Sequence, residues 1–156
     1  MEGRCVAGAL LLVLASLLPV RAAGPVVKLL QTSPPADCVS RRLGQVEVTL
    51  GSKEPNARTG MAPPSVSYRK AFAQLLEAAR ARGADAVVLR EHESAYVARG
   101  ARQPRRPTYL SLHGAALQLG GEPGKCPLVV LDPREYERQA LARQREDVST
   151  DTGLAF

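Results

Sequence analysis

Apolar and polar positions change period along the chain, and each change marks an element. Over residues 43–50 they alternate, with Val46, Val48 and Leu50 on one side and Gln45, Glu47 and Thr49 on the other. A period of two with one apolar face is a half-buried β-strand. From Tyr68 the spacing switches: Tyr68, Phe72, Leu75, Leu76 and Ala79 recur at i, i+4, i+7, i+8 and i+11, which is one face of a helix. Ser65 or Ser67 stands where an N-cap belongs and Gly83 where a left-handed C-terminal cap belongs, so a helix is expected over 66–82. Residues 84–90 then read as a strand of small and branched side chains that fades into the polar run Glu91-His92-Glu93-Ser94. Residues 108–119, TYLSLHGAALQL, predict another strand, in which Gly114 permits a bend or a close backbone approach.

Shorter signals complete the pattern. PVVKLLQ at 25–31 and PLVVL at 127–131 read as short strands. Asp132-Pro133 is a helix start, a capping side chain followed by proline in the first turn. The helix expected over 133–147 has a thin apolar stripe of Tyr136, Ala140 and Leu141, so it should be peripheral. Residues 51–64, rich in Gly, Pro and polar groups, read as a mobile loop, and 148–156 as a frayed tail. The expected architecture is a single α+β domain over 23–147: a small, mainly antiparallel sheet of about four or five strands, with the principal helix packed on one face.

Ahead of that domain, Arg4 precedes an apolar run from Cys5 to Val20, broken by Gly8, Ser16 and Pro19 and followed by Ala22-Ala23. This is the layout of a signal peptide, assigned to residues 1–22. A membrane anchor is the alternative, but the run is shorter than the ~20 apolar residues a span needs. The expectation is an exported protein, periplasmic or extracellular, with no transmembrane segment after cleavage. The leader removes two arginines and one glutamate, so the formal net charge of +6 becomes +5. It also removes Cys5 and leaves Cys38 and Cys126. An even count in an oxidising compartment suggests one disulfide. The loop closed is about 90 residues, for which chain entropy gives roughly 4–5 kcal/mol. Two free buried thiols are the other reading.

Composition narrows the function classes. In 156 residues, 45% are apolar and 23% charged, as in a globular protein. A coiled coil, a zinc finger and a multi-spanning membrane protein are excluded. With aromatics at 4% and no Trp, there is little for nucleic-acid bases to stack on, so no nucleic-acid partner is expected. His92 lies between Glu91 and Glu93, but on an extended chain both carboxylates share one face and the imidazole points away. That geometry opposes a metal site and reads as a solvated charged strand end. His113 reads as a partly buried histidine satisfied by the backbone. No zinc-ligand spacing, GxSxG, Walker loop or GxGxxG occurs, and Ser65, Ser67, Ser94 and Ser111 lack a nucleophile's setting. No catalytic residue, metal ligand or cofactor is therefore assigned. Arg99, Arg102, Arg105 and Arg106, interleaved with Pro104 and Pro107, form either a solvated basic loop or a patch for anionic surfaces such as lipid headgroups, lipopolysaccharide or peptidoglycan.

One arrangement spans most of the chain. Cys38 is followed by Leu43-Gly44-Gln45-Val46, then by a helix ending in Leu75-Leu76 and Ala78-Ala79, then by Gly83-Ala84-Asp85-Ala86-Val87-Val88-Leu89 and Gly114-Ala115-Ala116-Leu117. Over residues 38–126 this order resembles the Rcs envelope-stress sensor lipoproteins (RcsF-like) and related bacterial envelope proteins. The helix–GADAVVL junction is its strongest element. The sensor family carries four cysteines in two disulfides and a lipid-attachment cysteine. Here two cysteines remain, at different points of the strands, and no attachment cysteine follows the leader. The resemblance implies a non-enzymatic envelope protein, an interaction or stress-sensing-like module that meets another envelope protein or an anionic envelope surface. The same junction occurs in metal-binding domains of similar fold, which makes a metal-binding module the alternative, beside an enzyme with an unrecognised site.

Overall fold

The computed structural model describes residues 26–98, 104–120 and 124–151. The signal peptide assigned to 1–22, Arg99, Arg102 and the last five residues lie outside them. The elements in chain order are β1 (Lys28–Leu30), a single 3-10 turn (Ala36–Cys38), β2 (Val39–Gly51), α1 (Tyr68–Ala81), β3 (Ala86–Ala95), β4 (Tyr109–Leu119) and α2 (Pro133–Asp151). Four strands form one sheet in the order β1-β3-β4-β2. The β2–β4 and β3–β4 pairs are antiparallel, and β1–β3 is parallel. The fold is α+β, with α1 packed on the sheet and α2 C-terminal to it.

α1 forms where the spacing places it. Tyr68, Ala71, Phe72, Leu75 and Ala79 are buried on its sheet-facing side. They meet Val46, Val87, Leu110, Leu112 and Ala116, which project from the three longer strands. The helix ends in a Schellman motif: Gly83, at φ 74°, donates its N–H to the Arg80 carbonyl, and the Ala84 N–H goes to Ala79. Ala84 and Ala79 both lie in the core, the apolar contact that accompanies this cap. Gly114 serves close approach, not a bend. A β-carbon there would stand 2.5 Å from Val87 Cγ1 and 3.2 Å from the Val88 carbonyl oxygen.

Several boundaries differ from the sequence reading. β2 begins at Val39, four residues early, and bulges at Val39/Arg41 and at Arg42/Gly44 interrupt its ladder, the latter with Gly44 at φ 94°. The extra residue shifts the phase, which lets Leu43 pack on the same core as Val46. β3 does not stop at 90 but runs to Ala95. A bulge between Leu89 and Glu91 shifts its phase too, and β4 supplies partners for the charged residues beyond it. Residues 127–131 are not a strand. They make only the bridge Leu30–Val130 and two flanking backbone bonds to Gln31 and Leu29, since Pro127 brings no donor and Pro133 ends the run. α2 continues past 147 into the segment expected to fray, reaching Asp151.

The loop at 51–64 is organised by its own bonds: Asn56 Oδ1 accepts from the Arg58 and Thr59 N–H groups, and the Asn56 N–H donates to Met61. Opposite α1, a second and smaller cluster of Leu30, Ala86, Val88 and Leu117 is backed by Val39, Leu119 and Leu128. Beside it the Cys38–Cys126 disulfide joins the 3-10 turn before β2 to the segment after β4, with Cα atoms 5.8 Å apart. The bond fits an oxidising compartment. Among the described residues no helix is long and apolar enough to cross a membrane.

Candidate functional site

Two clefts flank the first turns of α2, and each gathers side chains from distant parts of the chain. The first is basic. It has a volume of about 580 Å³ and is lined by Ser67, Arg69, Arg106, Asp132, Arg134 and Glu137. Arg106 is held there by the two residues after it in the chain. Pro107 is fully buried, and its carbonyl accepts the Val66 N–H at 2.8 Å. The buried Thr108 closes the loop base, its Oγ1 accepting from the Val97 N–H at 3.1 Å and donating to the Ala95 carbonyl at 3.2 Å. Val66 leads directly into α1, so Arg106 lies beside Arg69.

The electrostatics of this cleft run against helix preference. α1 has no acidic residue in its first turn, and Ser67, although at the N-cap, makes no side-chain capping bond. Arg69 and Lys70 occupy that turn, where positive charge opposes the helix dipole. Arg134 adds a third guanidinium from α2. Asp132 and Glu137 offset part of the charge, but Asp132 caps its own helix through Oδ1 to the Arg134 N–H at 2.8 Å. Local rules broken without an internal gain are the mark of a site built for something outside the chain. Of the four arginines singled out in the sequence, Arg105 and Arg106 are described and exposed, and Arg106 enters this cleft.

The second cleft, of about 450 Å³, lies between the end of β3 and the next turns of α2. Gln31, His92, Ser94, Tyr96, Tyr136 and Arg143 line it. The bulge after Leu89 turns His92 toward the helices, so Glu91 and Glu93 share the opposite face, as alternation requires over residues 91–93. His92 is more than a solvated strand end. Its Nδ1 shares a 2.8 Å hydrogen bond with the Tyr136 hydroxyl, and the two rings stand perpendicular at 5.5 Å. Tyr136 also meets Phe72 edge-on at 5.5 Å, which docks α2 more firmly than its thin stripe implied. Partial burial and nearby Arg143 hold the His92 pKa below its usual value.

Behind this pair, the hydroxyls of Tyr68 and Tyr96 are buried. They lie close to each other and to Ser94, yet neither reaches a partner in hydrogen-bond geometry. Burial raises the pKa of both phenols, with Tyr68 pushed far above the usual phenol value. Both therefore stay protonated as donors. The chain has four Tyr, two Phe and two His, and five of these eight residues come together here. Sequence reading missed the cluster because its members are scattered from 68 to 136, and only the bulge shows which side His92 faces.

His113 lies on the other face of the sheet. It is partly buried, as expected, but its partners are side chains and not backbone: Ser111 Oγ at 3.2 Å and, when the ring is protonated, Glu47 at 3.6 Å. Among the described residues no three His, Cys, Asp or Glu side chains converge as a metal would require. The geometry defines a disulfide-tied α+β module with a basic cleft and an aromatic cleft on either side of one helix. No family model, curated protein or solved structure matches the chain.

Proposed function

We propose that the chain is an exported, non-enzymatic interaction module that docks on an anionic envelope surface through its basic cleft. The observation that carries this reading is the convergence of Arg69, Arg106 and Arg134, from three separate segments, on the uncapped positive end of α1. A helix N-terminus and guanidinium groups together favour phosphate or carboxylate. Arg105, next to Arg106 in the chain and exposed, adds to the positive charge. The disulfide supports an oxidising compartment, and the resemblance to RcsF-like proteins supports an envelope setting.

Co-sedimentation with vesicles tests the proposal. The protein should pellet with vesicles containing phosphatidylglycerol and stay in solution with phosphatidylcholine alone. Binding should fall as salt rises, because exposed charges are screened beyond about 8 Å at physiological ionic strength. The variant Arg69→Gln/Arg106→Gln/Arg134→Gln should fold normally and lose this binding. Equal pelleting of variant and wild type at low salt overturns the assignment.

A further inference from the structure

The aromatic cleft is chemically unlike the basic one and is not needed for surface docking. We propose that it binds a small organic carboxylate with a flat apolar body. Its volume, about 450 Å³, lies within the usual range for small-molecule sites. Among the described residues no carboxylate lines it and Arg143 is the charged side chain in its wall, so its charge selects an anion. A guanidinium matches a carboxylate with two parallel N–H···O bonds, which a single-atom anion cannot use.

The walls supply the rest. The perpendicular rings of His92 and Tyr136 give an apolar corner, fixed by their shared hydrogen bond. Gln31 and Ser94 add groups that donate. The Tyr96 ring extends the apolar wall, with its hydroxyl buried behind it beside Tyr68 and Ser94. A chain with few aromatics places most of them at this corner, more than the docking of one helix turn requires.

Titration of the isotope-labelled protein with benzoate, followed by amide and side-chain chemical shifts, tests the proposal. Benzoate should give saturable shifts confined to residues around His92, Tyr96 and Tyr136. Benzamide, of the same shape without the charge, should bind about tenfold more weakly, and Arg143→Gln should weaken benzoate by a similar factor. Arg143 is exposed, so that variant keeps the fold. Shifts that fail to saturate, that map to the Arg106 cleft instead, or that are equal for benzoate and benzamide or for wild type and Arg143→Gln, overturn it.

Discussion

Under α1 the sheet is covered by Tyr68, Phe72 and Leu75, all fully buried, with Leu110, Leu112, Val46 and Val87 rising to meet them. On the opposite face the apolar layer is Leu30, Ala86, Val88 and Leu117, with no helix over it among the described residues. The rest of that face is polar: Thr49 bonds Ser111, Lys53 reaches Glu93 at 2.6 Å and lies over the Tyr109 ring, and His113 sits by Glu47. Exposed ion pairs of this kind contribute little. The covalent bond lies on the thinly covered side, where burial alone stabilises least. Packing holds one face and a cross-link holds the other.

That contrast can be tested by loosening each face in turn. Phe72→Ala removes a fully buried ring under α1 and should cost about 3–5 kcal/mol in urea unfolding, with the loss unchanged by reductant. Replacing both Cys38 and Cys126 by Ala should cost about 2–4 kcal/mol, and the same loss should result from reducing the wild type. The two changes lie on opposite faces, so their costs should add. A coupling well above about 0.5 kcal/mol would mean that the faces share one support. Gly114→Ala, which drives a methyl group into Val87, should cost about 1–3 kcal/mol and leave the disulfide intact.

The smallest effect is a pH dependence. The folded chain holds the His92 pKa below its ordinary value of 6.5, so the unfolded state takes up that proton first as pH falls. Stability from this group is therefore full above about pH 6.5 and declines as pH falls through the folded value. Tyr136→Phe removes the hydroxyl bonded to His92 and should cost about 0.5–1.5 kcal/mol. Denaturant midpoints measured from pH 8 to pH 5 should show the decline in the wild type and its loss in His92→Gln. An unchanged slope in that variant would assign the pH dependence elsewhere.

Much of the α1 face was legible in the sequence, since an amphipathic spacing and a Gly83 cap are local signals that packing reinforced. The alternation at 46–50 and the strand at 109–119 were legible for the same reason. The illegible part is non-local. None of the bulges has a signature strong enough to announce itself, yet the one after Leu89 decides which face His92 occupies. The parallel partner of β1 lies far along the chain, and 127–131 has strand composition without room for a ladder. The loop arginines were legible as charge. The meeting of Arg106 with Arg69 and Arg134 depends on Pro107 and Thr108, residues that look like ordinary loop until they are seen buried.

β1 has a kinetic meaning as well as a structural one. Its Lys28 waits for Ala86, and its Leu30 waits for both Val88 and Val130, so the strand made first is the last to be flanked on both sides. Contacts this distant in sequence make folding slow and leave an open strand edge until late in synthesis. Cys126 emerges only shortly before Val130, after all the residues of β2, β3 and β4. The cross-link therefore has to wait until every strand has been synthesised. A chain cut short before residue 126 would carry an unpaired thiol at Cys38 and an unguarded edge at β1, and both would lead it to other chains.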